Sequence, residues 1–187
     1  MLPVAHHEAG HTVVALALGI EVVHVDASFD QQTVLEAEFS AAIQRPEVSP
    51  RDAVRAAMFC LAGTLYEEIL AGIPDPDPPH RPRGGDDTDD IVRAYRFTDG
   101  VDAHLGSTQT MRLATEAATE LLHQNREAAV ALTVALQEEG HLTREATKDI
   151  WARHGGRPAP RKVVDAVLGG VGGRPAATSS PRRPRKR

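Results

Sequence analysis

Near its start the chain reads "VAHHEAGHTVVALALG" (residues 4–19), with two histidines four residues apart and a glutamate directly after the first. Four residues make roughly one helical turn, so the imidazoles of His7 and His11 can point at one metal ion. Glu8 then stands beside whatever that ion activates. Zinc held by two histidines and a carboxylate keeps a fourth position for water and lowers its pKa to roughly 7. In that chemistry Glu8 takes the proton from water and later passes it to a leaving amine. Two features add to the bare pattern. Both histidines fall on the apolar series Val4, His7, His11, Val14, Leu18, where an imidazole without a partner would cost free energy. Gly10 sits mid-helix at a cost of ~1 kcal/mol relative to alanine, which makes sense if another segment must pass close to the metal.

The elements that must carry these residues have their own marks. Pro3 suits a helix's first turn and Gly19 its end. "IEVVHVDASF" and "TVLEAEF" read as two strands joined at "DQQ", the second alternating Leu35, Ala37 and Phe39 with glutamates. Ser49, Pro50 and Asp52 open a second helix that runs to Gly72. Val54, Met58, Leu61 and Leu65 form its core stripe; Ala53, Ala57, Cys60 and Thr64 form a small-residue stripe beside it. Proline excludes regular structure from "IPDPDPPHRPRGG". "DDTDDIVRAYRF" then opens a third helix. Residues 109–138 read as helical, with a break where Asn125 can cap a fresh start; Gly140 stops the run and Thr143 caps "REATKDIWARH". Beyond Gly155 the short "VVDAVL" can be helical, and the rest is expected to be disordered.

Four blocks of this sequence look familiar. "HEAGHTVVALALG" resembles the zinc-binding helix of the FtsH-type, AAA ATPase-linked membrane metalloproteases. "LAGTLYEEILAG" resembles their Ala-Gly-x-x-x-Glu-Glu helix, and "GGDDTDDIVRA" the segment that carries an aspartate metal ligand. "LLHQNREAAVALTVALQEEGHLTREATKDI" is similar to their closing helices. The blocks stand in the family's order and cover about residues 4–151. The resemblance implies that His7 and His11 are metal ligands, that Glu8 is the catalytic base, and that Asp90, just before Ile91, is the third ligand. The residues are compatible with this: Asp90 shares a face with Ala94 and can turn inward, while Asp89 can pair outward with Arg93. Asp86, one turn earlier, and Glu67 and Glu68 are the alternatives for the third ligand. The two glutamates fit better as partners that orient a histidine through its other ring nitrogen.

Composition bounds the rest. At 187 residues the chain suits one domain, and 41% hydrophobic with 4% aromatic residues suits a core of Leu, Val, Ile and Ala. No run approaches the ~20 apolar residues of a membrane span. A single cysteine, Cys60, excludes an internal disulfide and multi-cysteine metal clusters, which makes a cytoplasmic setting the expectation. Six of the 21 basic residues lie from Arg174 onward, where there are no acids, so the body is acidic and the tail basic. Such a tail is expected to be a solvated end rather than a nucleic-acid contact. His24 is expected to be a structural strand histidine, His6 a surface one, Cys60 a small buried hydrophobe, and Trp151 a residue that packs the last helix.

The expected fold is mainly α with a small β-hairpin (α+β), a helical, zincin-like FtsH-type peptidase domain over residues 1–154, followed by a disordered basic tail over 155–187. The expected function is zinc-dependent endopeptidase cleavage of unfolded or flexible polypeptides, with one Zn2+ per chain on His7, His11 and Asp90. An extended substrate could add to the edge of "TVLEAEF". The chain has no Gly-x-x-x-x-Gly-Lys-Ser/Thr phosphate loop and only six residues before His7, so unfolding is left to a separate ATPase partner. A homo-oligomer would follow from the resemblance. The alternative is a catalytically silent, protease-like binding or regulatory module.

Overall fold

The computed structural model describes residues 3–27, 48–71, 87–105 and 109–172. Among them are α1 (Pro3–Leu18), β1 (His24–Asp26), α2 (Pro50–Ala71), α3 (Asp87–Leu105), α4 (Thr110–Gln124), α5 (Arg126–Glu139), β2 (His141–Thr143), α6 (Arg144–Arg153) and α7 (Val163–Gly172). The described residues are thus mostly helical, with one two-stranded antiparallel sheet among them. No described helix is long and apolar enough to cross a membrane.

Helix α1 ends where glycine allows it: Gly19 takes φ 69°, and its N–H reaches the Leu16 carbonyl at 3.1 Å. The single apolar stripe expected for this helix is corrected by the structure. Every residue from Glu8 to Ala15 is buried, so α1 is the core of the molecule rather than one wall of it. Helices α2, α4 and α5 all pack around it. Its small residues are the reason, since Ala5, Ala9, Ala15 and Ala17 let neighbours close in from several sides. At Gly10 the approach is closest. A Cβ there would fall 2.5 Å from the Ala62 carbonyl oxygen and 2.8 Å from Tyr66 Cβ, so α2 crosses α1 almost backbone to backbone.

Helix α2 begins at its sequence marks. The Ser49 hydroxyl accepts the Asp52 N–H at 3.1 Å and donates to the Asp52 carboxylate at 2.7 Å. Val54, Met58, Leu61 and Leu65 are fully buried, and Cys60 is buried with them as a free thiol. Arg55 reaches back to donate to the Leu18 carbonyl, closing the end of α1.

Strand β1 pairs with β2, with His24 opposite Thr143 and Asp26 opposite His141. The hairpin partner expected at 33–39, and the "DQQ" turn, lie outside the described residues. The sequence marks residues 141–143 only as the approach to a helix, and they extend as β2. Thr143 does cap α6, accepting the Ala146 N–H at 3.3 Å. The break at residue 125 is present, but Asn125 makes no side-chain cap there. It is buried, donating to the Leu121 carbonyl at 2.9 Å and accepting the Arg157 N–H at 2.6 Å.

That last bond bears on the boundary expected at 154. Residues 155–172 belong to the packed body. Gly156 lies against the Trp151 ring, the Ala159 N–H donates to the Ala17 carbonyl at 2.8 Å, and α7 buries Val164 and Val167. Arg51 of α2 pairs with Asp165 of α7. Residues 173–187 lie outside the described part.

Candidate metal centre

Two helices bring the sequence-marked residues to one point, α1 carrying His7, Glu8 and His11, and the first turn of α3 carrying Asp90. The Nε2 atoms of His7 and His11 are 2.9 Å apart. Asp90 Oδ2 lies 3.3 Å from His11 Nε2 and 3.9 Å from His7 Nε2. Two imidazole lone pairs at such a distance repel unless a proton or a cation lies between them. The ligand atoms of all three residues fall within 4.8 Å of one another, and among the described residues no other trio of His, Cys, Asp or Glu does so.

The donor set fits zinc. Bonds of about 2.0–2.2 Å in a tetrahedron put neighbouring ligand atoms about 3.3–3.5 Å apart. The three separations straddle that value, so tenths of an ångström of side-chain adjustment suffice. Two imidazoles and one carboxylate leave a fourth position for water or substrate.

The surroundings fix the rings. His11 Nδ1 donates to the Phe59 carbonyl of α2 at 2.8 Å, which leaves the Nε2 lone pair directed at the centre. His7 Nδ1 faces Glu67 Oε2 at 3.7 Å, so Glu67 stands behind one ligand rather than within the trio. A Cβ at Gly63 would lie 2.6 Å from His7 Nε2, His7 Cε1 and His11 Nε2. Both imidazoles therefore occupy space that any side chain at position 63 would need.

Electrostatics follow from this crowding. Burial alone would lower the pKa of His7, but the Asp90 and Glu67 carboxylates override it and raise the value to about 10. For Asp90, burial would raise the value, yet hydrogen bonds to His11 and His7 hold it well below the usual carboxylate range. Burial pushes the Glu8 carboxyl up to about 6 against the pull of His11 and His7, with Asp90 and Asp26 adding to the rise. Glu8 is 7% exposed, and one of its carboxylate oxygens is buried without a hydrogen-bond partner.

The remaining candidates separate cleanly. Asp86 lies outside the described residues. Glu68 is not among the converging groups; burial raises its pKa, and one of its oxygens is buried without a hydrogen bond. Arg93 reaches Asp90 Oδ1 at 3.4 Å; the side chain of Asp89, its expected partner, lies outside the described part. Sequence reasoning missed two contributors. Gly63 carried the same signal as Gly10, a glycine inside a helix, and the Phe59 carbonyl carried none because backbone atoms have no sequence signature.

No protein-family model matches the chain, and no curated protein matches it.

Proposed function

We propose that the chain is a zinc-dependent endopeptidase that cleaves unfolded or flexible polypeptides, its zinc held by His7, His11 and Asp90. The observation that carries this reading is the convergence of those three side chains beside a buried, partly unsatisfied Glu8. The four-block resemblance to FtsH-type peptidases points the same way and extends the reading to a zincin-like domain.

Bound zinc would supply a Lewis acid that lowers the pKa of water at its open position and polarises the scissile carbonyl. Every other role belongs to side chains of the protein. His11, anchored through Phe59, and His7, backed by Glu67, hold their Nε2 atoms toward the centre. Asp90 contributes the one negative charge of the ligand set. Glu8, with a pKa raised to about 6, lies near the range a general base needs at neutral pH. It takes the proton of the attacking water as the new C–O bond forms, then delivers it to the amine nitrogen as the C–N bond breaks. Burial keeps Glu8 from being levelled by bulk solvent.

Glu8→Gln separates binding from chemistry. The variant should retain zinc and lose casein cleavage by at least about a hundredfold, within the range general-base removal produces. Cleavage at the wild-type rate by that variant would overturn the mechanism. Zinc binding by the wild type without chelator-sensitive cleavage would favour a silent binding module instead.

A further inference from the structure

Helix α5 packs on α1, and its buried residues are Ala128, Ala129, Leu132, Thr133 and Leu136. Its other side carries Arg126, Val130, Val134 and Glu138, one residue every four, and all of them are exposed. Val130 is 44% and Val134 46% exposed, the two most exposed large hydrophobics among the described residues. Single exposed valines are ordinary on a protein surface. These two stand on adjacent turns, in a residue type that forms helix less well than the half-buried alanines beside them, Ala131 and Ala135.

The charges at its two ends make the stripe complementary to itself. Counted from Leu132, Arg126 stands six residues before the middle and Glu138 six after, with Val130 two before and Val134 two after. Within one helix the two charges lie about 18 Å apart, at 1.5 Å per residue, and do not meet. Among the described residues neither makes a hydrogen bond or an ion pair, although Arg112–Glu116 and Arg153–Asp149 show the pairs that other helices form one turn apart. A second copy laid antiparallel on the first, with a two-fold axis passing by Leu132, reverses the order. Arg126 then faces Glu138 of the second copy, Glu138 faces its Arg126, and each Val130 faces a Val134. Rows of residues four apart lie along one another when two helices cross at about −50°, the commonest packing in globular proteins. The short valines fall where the axes are closest, and the long arginine and glutamate side chains reach across where they diverge.

We propose that this stripe is a dimer face, on which two copies of the chain pair α5 against α5 in antiparallel register. A face that complements itself closes at two copies and grows into neither a ring nor a filament. Four valines and two ion pairs make a small interface, so the dimer is a weak one, reached at micromolar concentrations or above. The pairing engages none of His7, Glu8, His11 and Asp90, so the inference stands apart from the peptidase reading.

Sedimentation equilibrium of the 187-residue chain, from low micromolar to millimolar loading, tests it. A monomer–dimer equilibrium is expected. Val130→Ser and Val134→Ser should each raise the dimer Kd at least tenfold. Arg126→Glu and Glu138→Arg should do the same, because each sets like charges against one another at both ends of the face. Combining Arg126→Glu with Glu138→Arg in one chain should restore pairing. Mixing the two single variants should restore it as well, as a heterodimer, since a chain with two acids then faces a chain with two bases. Rescue between separate chains cannot come from a change within either one. All four positions are exposed, so far-UV circular dichroism identical to wild type in each variant separates loss of pairing from loss of the fold. A chain that stays monomeric at millimolar concentration overturns the proposal and leaves the stripe to another segment of the chain. An oligomer whose Kd is unmoved by the valine substitutions, or not restored by the charge exchange, overturns it by placing the contact on another face.

Discussion

At the scale of single residues, protons and the proposed metal would compete for the same three side chains. Asp90 is held below its usual range, so it contributes stability above its ordinary pKa of 3.8 and loses that contribution as the pH falls. His7 moves the other way. Raised to about 10 from 6.5, it contributes fully below 6.5 and progressively less as the pH climbs toward 10. Glu8, raised to about 6 from 4.5, costs stability once its carboxylate must ionise in a buried place. The metal-free chain should therefore be most stable in mild acid. Zinc requires both imidazoles without their Nε2 protons, so its stabilisation grows as protons leave. Thermal unfolding with zinc and with chelator should show a difference in Tm that is small at pH 5.5 and widens steadily to pH 8. A gap that is constant or narrows over that range would mean that His7 does not exchange a proton for the metal.

The same site depends, at the scale of elements, on two glycines that act differently. Gly10 sets how closely α2 crosses α1; Gly63 leaves room for the imidazoles once the helices have crossed. Gly10→Ala should destabilise the fold by about 1–3 kcal/mol through overpacking, reduced by the ~1 kcal/mol that alanine gains in a helix. The buried zinc should still bind. Gly63→Ala should weaken the buried zinc at least tenfold while changing the chelated protein's Tm much less, because the displaced atoms are ends of two side chains. Equal effects of both substitutions on both readouts would show that the glycines serve only packing. These elements also mark what could be read in advance. Pro3, Gly19, Ser49, Gly140 and Thr143 act within a few residues of themselves, so the ends of α1, α2, α5 and α6 were legible. His7, Glu8 and His11 were legible for the same reason, being one turn of one helix. Asp90 lies some eighty residues away and was identified through resemblance rather than spacing. The all-round burial of α1 was hidden because periodicity reports one stripe, not how many neighbours close on it. Strand β2 was hidden because three residues extend there only in the presence of β1.

For the whole molecule, the segment after the last expected helix holds the bundle together from outside. The Arg157 N–H satisfies a buried Asn125 at the α4–α5 break, and the Ala159 N–H satisfies the Ala17 carbonyl in the last turn of α1. Helix α7 then packs on α2, α3 and α4, with Asp165 reaching Arg51 at the start of α2. A segment rich in glycine, proline and charge gives little sign of this, because its anchoring comes from two backbone N–H groups and two valines rather than from a long apolar face. Cutting the chain after residue 154 should expose Val164's and Val167's packing surface, at about 1.5–3 kcal/mol for each valine. It also leaves the buried Asn125 oxygen without its donor, about 1–3 kcal/mol more. For a body of this size each kcal/mol moves Tm by roughly 2–4 °C, so the cut should lower Tm by on the order of 10 °C or more. Cutting after residue 172 removes only the Arg-rich end and should leave Tm within a degree or two of the 187-residue chain. Restoring 155–172 while replacing Asn125 with alanine should recover the valine part of the loss but not the rest. If the chain cut at 154 melts where the uncut chain does, α7 and its strap are ornaments on a bundle that needs neither, and the position of α2 relative to α1 must be set by the Gly10 crossing alone.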